Sequence, residues 1–105
     1  MIELERKYVF HVPIFKFEDG MLIELEIEDI LDELIEELDA RSLYISKVKS
    51  VYRKRIYDEL LITLFTTSDG HPEEVFERWF RANNDILAQE AFAFEMDGRM
   101  FIGRL

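Results

Sequence analysis

Polar and apolar residues alternate with period two along residues 2–17. Ile2, Leu4, Tyr8, Phe10, Val12 and Ile14 share one parity, and Glu3, Glu5, Lys7, Val9 and His11 share the other. That period marks a strand with one buried side. Pro13 has no N–H for a ladder, so it predicts an edge, a bulge or the strand's end. Glu18-Asp19-Gly20 reads as a turn, and Met21, Ile23, Leu25 and Ile27 then alternate with Glu24 and Glu26 as a short second strand. Here the period changes. Ile27, Ile30, Leu31, Leu34, Ile35 and Leu38 recur at helical spacing and predict a helix over about Glu28–Ala40.

Leu43–Phe65 is rich in β-branched and aromatic residues and predicts two strands joined by a turn at Tyr57-Asp58-Glu59. Pro72 suits the first position of a second helix, about Pro72–Gln89, with a stripe of Val75, Phe76, Trp79, Phe80, Ile86 and Leu87. Asn83-Asn84, weak helix formers, mark a kink or early end within it. Asp97-Gly98 between AFAFEM and RMFIGRL is the strongest hairpin signal in the chain, setting Met96 against Arg99 and Phe94 against Phe101.

Helices separated by hairpins imply an α+β fold, an antiparallel sheet with two helices packed on one face, in a single domain over residues 1–105. The element order resembles the ferredoxin-like βαββαβ arrangement with an extra terminal strand or hairpin. Many unrelated functions share that fold, so the resemblance implies an architecture and no activity.

Charge sharpens this picture. Phe17–Ala40 holds eleven of the chain's 23 acids and no Lys or Arg, and the rest of the chain is nearly balanced, so the net charge of −10 originates here. The acids of the first helix include i,i+4 pairs at 28/32, 29/33, 32/36 and 33/37. Each pair repels by roughly 0.2–0.5 kcal/mol at exposed sites, a load of about 1–2 kcal/mol that a packed apolar stripe outweighs. A basic block follows, with Lys47, Lys49, Arg53, Lys54 and Arg55 and no acid between Ala40 and Asp58. A pI near 4.6 opposes direct binding to nucleic acid or to an anionic membrane, both polyanions. The opening MIELERKY lacks the apolar segment of a signal peptide, and Leu60–Phe65 is far shorter than the roughly 20 residues of a membrane span. A cytoplasmic protein is expected.

Candidate chemistry is sparse. Without cysteine there is no disulfide framework, thiolate metal site or thiol nucleophile. His11 and His71 lack metal-ligand spacing, no Gly-rich phosphate loop or GxSxG occurs, and no DxDxDG calcium loop is present. No metal and no cofactor are expected. Two surfaces remain. Asp29, Asp32, Glu33, Glu36 and Glu37 form an acidic helix face suited to a basic protein partner or a second copy of the chain. A rigid row of carboxylates can imitate nucleic-acid phosphates, and in composition the chain resembles small acidic phage-encoded inhibitors of DNA-binding enzymes.

The other surface is the basic segment. Lys47, Lys49, Tyr52, Arg53 and Arg55 combine cations with aromatic rings, as anionic-ligand sites do, although edge-strand lysines also serve to block unwanted pairing. Alternation sets Lys47, Lys49, Arg53 and Arg55 on one side, with Tyr44, Tyr52 and Lys54 on the other. The alternative function is therefore a small nucleotide-like-ligand binder or a cofactor-free enzyme. In size and element order the chain looks like ferredoxin-like dimers with monooxygenase or isomerase activity, and Tyr8, His11, Tyr52 and Arg53 would then be the polar residues of interest. A noncatalytic interaction module is the leading expectation.

Overall fold

The first alternating segment becomes strand β1 (Arg6–Pro13) in a computed structural model that describes Met1–Leu105. Tyr8, Phe10 and Val12 point to one side and are buried. The strand is shorter than the expected 2–17. It stops at Pro13, the chain bends at Ile14, and pairing resumes in a separate two-stranded sheet of β2 (Phe15–Glu18) and β3 (Met21–Glu24). Asp19 and Gly20 both have positive φ, the two-residue turn that suits a twisted hairpin.

Helix α1 (Glu28–Leu38) starts where the spacing predicts and ends two residues before Ala40, because Asp39 turns left-handed at φ 46. Strands β4 (Leu43–Tyr52) and β5 (Arg55–Thr66) follow, and here the expected turn is corrected. The chain reverses at Arg53-Lys54, both at positive φ, and not at Tyr57-Asp58-Glu59. Left-handed non-glycine residues cost about 1–2 kcal/mol each. The compensation is a ladder from Leu43↔Leu64 to Tyr52↔Arg55 that sets Asp58 opposite Lys49, where a turn at 57–59 would strand it at the tip.

The second helical segment is also divided. Helix α2 (Pro72–Ala82) ends at Asn83, and helix α3 (Asn84–Leu87) takes up the remainder. Asn83 Nδ2 donates to the Trp79 carbonyl (2.9 Å), and Asn84 Oδ1 accepts from the Gln89 amide (3.0 Å). Side-chain amides thus compete for backbone groups that a continuous helix would use. Strands β6 (Ala91–Met96) and β7 (Arg99–Arg104) form the expected hairpin, with Met96↔Arg99 and Phe94↔Phe101 in register.

Five strands assemble in the order β4-β5-β1-β6-β7, every neighbouring pair antiparallel, and with the three helices they make an α+β fold. The helices cover one side of the sheet. Leu34 of α1, Phe76, Trp79 and Phe80 of α2 and Leu87 of α3 share a core with Tyr8, Phe10, Val12, Ile62, Leu64 and Phe92. Phe76 stacks on Phe10 with ring centroids 4.6 Å apart, and the Trp79 indole N–H donates to the Ile30 carbonyl (2.7 Å), tying the helices together. Gly103 has no side chain because the Phe92 ring occupies the space a Cβ would need. Strands of ten and twelve residues span about 33–40 Å at ~3.3 Å per residue. The β4–β5 hairpin therefore outreaches the core, and the long axis of the molecule measures 51 Å.

Leu34 is fully buried at the centre of the α1 stripe. Leu34→Ala is expected to destabilise the fold by about 2–5 kcal/mol in denaturant titration. A loss below ~0.5 kcal/mol would mean that α1 is not docked on the sheet, since surface substitutions fall in that range.

Candidate functional site

The acidic face is set by the helical period. With Ile30, Leu31, Leu34 and Leu38 turned inward, Asp29, Asp32, Glu33, Glu36 and Glu37 fall on the outer surface of α1, and all five are exposed. None is in an ion pair; the salt bridges of the molecule use Glu18, Asp58, Glu59, Glu73, Glu77 and Glu95. The last turn of α1 contains no basic residue, so Glu36 and Glu37 sit at the negative end of the helix dipole without a local counter-charge.

The basic residues do not form one site. Lys47 and Lys49 lie side by side and both reach Asp58, at 3.7 and 2.7 Å. The Lys49 hydrogen bond, with the charges of both lysines, holds the Asp58 carboxyl below its usual pKa. Arg53 and Lys54 occupy the tip of the hairpin, where the Arg53 guanidinium lies 5.3 Å from the Tyr52 ring centroid. Arg55 pairs with Tyr52 and lays its guanidinium over Phe17 of β2 at 4.5 Å. The side assignment from alternation is thus corrected: the turn at 53–54 puts Arg55 on the Tyr52 side, away from Lys47 and Lys49.

Tyr8, His11, Tyr52 and Arg53 do not converge. Tyr8 lies under the helices, and burial, with the Glu73 carboxylate beside it, raises its phenol pKa to about 12. Tyr52 and Arg53 are at the hairpin tip, and His11 is on the uncovered side of the sheet. A cleft lies elsewhere, between the end of α1 and the start of α2, lined by Leu4, Leu38–Arg41, Leu64–Thr67, Gly70–Pro72 and Val75.

The uncovered side holds a cluster that sequence reasoning missed. His11 lies between Glu59 (Nδ1 to Oε1, 3.1 Å) and Glu95 (Nε2 to Oε2, 2.9 Å), and the Ser50 hydroxyl donates to the same Glu59 oxygen (2.6 Å). Register explains the meeting. Glu59 lies across from Pro13, and Glu95 from Val9, so both are diagonal neighbours of His11 on the same side. The parity of His11 was legible, but Glu59 was assigned to a turn, which hid the pairing. Both imidazole nitrogens face carboxylates, so the ring keeps no free nitrogen for general-base work. No set of His, Asp and Glu side chains forms a metal-binding group.

The Glu59 hydrogen bond raises the His11 pKa above 6.5; burial opposes it, and Glu95 adds to it. For Glu59, burial pushes upward, but the His11 and Ser50 hydrogen bonds and the His11 charge outweigh it and leave its pKa below 4.5. The His11 contribution to stability is therefore complete below pH 6.5 and lost as pH rises through its folded pKa. The Glu59 contribution is complete above pH 4.5 and lost as pH falls through its lowered folded value. Denaturation across pH should show the full contribution between these limits, and His11→Gln should flatten the alkaline decline. An NMR titration of His11 with a midpoint below 6.5 would show that the ion-paired cluster does not form in solution.

Comparison of the chain with protein-family models, with curated proteins and with solved structures finds no match.

Proposed function

We propose that the protein is a noncatalytic interaction module whose α1 face binds a basic surface on another protein. The observation that carries this reading is the row of Asp29, Asp32, Glu33, Glu36 and Glu37, all exposed, while every ion pair in the molecule uses other acids. Intramolecular cations were within the chain's means, since it has 13 Lys and Arg. The four that form ion pairs, Lys16, Lys47, Lys49 and Arg81, meet Glu18, Asp58 and Glu77 and not the α1 acids. A rigid helix presenting unneutralised carboxylates steers a cationic partner and competes with the phosphates that such a partner would otherwise contact. The sheet side under the helices is filled by aromatic rings, which supports a surface function over a ligand pocket between the layers.

The architecture proposed for this module is a ferredoxin-like core. Its support is the succession β1, α1, β4, β5, α2, β6 and the adjacency β4-β5-β1-β6, with the β2–β3 hairpin and β7 as additions.

Replacing Glu33, Glu36 and Glu37 together with Gln removes like-charge repulsion near the helix C-terminus. The isolated domain should keep its stability or gain on the order of 1 kcal/mol. Competition between the protein and duplex DNA for a basic DNA-binding protein should respond the other way: the parent displaces DNA with a steep salt dependence, and the triple variant associates more slowly. Equal rates and salt slopes for parent and variant would reduce the acidic face to a solvated surface.

A further inference from the structure

The two edges of the five-stranded sheet differ. β4 carries Lys47 and Lys49 along its length, and charged edge strands resist pairing with another chain. β7 keeps its arginines at its ends, with Met100, Phe101, Ile102 and Gly103 between them. Met100, Phe101 and Ile102 are exposed, Ile102 at 72%. The strand has no proline, its register with β6 runs without a bulge, and no lysine guards it. These are the devices by which an edge is usually blunted.

The hairpin turn decides which backbone groups are free. Asp97 and Gly98 both have positive φ (52 and 80), a type I′ turn that makes Met96 and Arg99 a hydrogen-bonded pair. Such pairs alternate along an antiparallel ladder. Arg99, Phe101 and Gly103 therefore turn N–H and C=O toward β6, while Met100, Ile102 and Arg104 turn theirs outward. The Arg104 carbonyl is already taken by Arg81 Nη2 at 3.0 Å. The residues left with both groups free are Met100 and Ile102.

We propose that β7 pairs antiparallel with β7 of a second copy of this chain about a two-fold axis through Phe101, making one continuous sheet. In that register Met100 faces Ile102 of the second copy and Ile102 faces its Met100, and each pair exchanges two backbone hydrogen bonds. Phe101 meets its counterpart at the non-hydrogen-bonded position, where Cβ atoms approach to roughly 4.5–5.5 Å. Arg99 falls opposite Gly103, and Arg104 falls opposite Gly98, next to the exposed Asp97. No arginine faces an arginine, and each Arg104 gains a carboxylate neighbour. This self-complementarity of charge is what selects a second copy over a strand of another protein. Moving the axis to Ile102 would ask a hydrogen bond of the occupied Arg104 carbonyl and set Phe101 against Gly103. The register also suits the net charge of −10 on each copy. α2 lies over β1 and β6, while the end of α1 shares a cleft with Leu64–Thr66 of β5. The acidic helices are thus kept toward the outer ends of the dimer, away from the joint.

The parent should sediment at twice the 12.6 kDa chain mass. The chain has no cysteine, so Phe101→Cys puts a lone thiol at the axis. Mild oxidation should cross-link it as a dimer, whereas Arg41→Cys, at an exposed position remote from β7, should stay monomeric on a denaturing gel. Ile102→Lys changes an exposed side chain and should return a monomer with unchanged far-UV circular dichroism, which keeps the test independent of the Phe94–Phe101 stack lost in the thiol variant. A parent that sediments as a monomer at every soluble concentration overturns the proposal and leaves the edge to a foreign strand. A dimer that persists unchanged in Ile102→Lys overturns it too, placing the joint elsewhere. None of the three variants alters α1, so the outcome is separate from that of the acidic-face experiment.

Discussion

Phe10 sits on the central strand with no exposed surface, and its stack on Phe76 is the contact through which the helical layer is held to the sheet. Around it Phe76 meets Trp79, Phe80 and Phe92, and Trp79 in turn binds the backbone of α1 at Ile30. A ring buries on the order of 150–250 Å² and prefers offset or edge-on neighbours, so such a cluster fixes orientation as well as supplying burial. The placement of α1, and with it the direction in which the acidic face looks, depends on this chain of aromatic contacts.

One-sided coverage leaves the centre of the other side of β1 facing water. A half-exposed central strand is poorly served by large apolar residues there, and this one uses a polar solution. Thr63 and Val9 are buried by their neighbours, and His11, Glu59, Glu95 and Ser50 satisfy one another above the ladder. The His11 ring bridges the two strands that flank β1, so the network ties β5 and β6 across the strand between them. Removing one partner leaves charge without compensation in a partly desolvated place, which is more costly than never having formed the pair.

Legibility in the sequence followed the range of the interactions involved. Asp97-Gly98 announced its hairpin because the turn's need for positive φ is a local property, and the β1 parity and the α1 stripe are likewise written within a dozen residues. Asn83-Asn84 announced a break for the same reason. Arg53-Lys54 could not be read as a turn, because nothing local favours two cations at positive φ; the cross-strand ladder that places Asp58 against Lys49 overrides their preference. The same long-range effect hid the His11 cluster, whose members are separated by 48 and 84 residues. The acidic face was fully legible, since periodicity alone decides which side of a helix is apolar. The basic segment was legible as composition but not as geometry, because its side assignment hinged on the misplaced turn.

The strand order has a consequence for how the chain is made. β1 is synthesised before both of its neighbours, β5, where Phe10 pairs with Ile62, and β6, where it pairs with Phe94. Non-local pairing of this kind is slow and leaves apolar surface uncovered meanwhile. A nascent chain therefore carries Tyr8, Phe10 and Val12 without their sheet neighbours until β5 and β6 have emerged. What emerges directly behind them is the stretch Phe17–Ala40, with its eleven acids and no base. Strong like charge keeps unfinished chains apart. Like charge in the segment behind β1 therefore opposes association of growing chains while that strand is still without its partners.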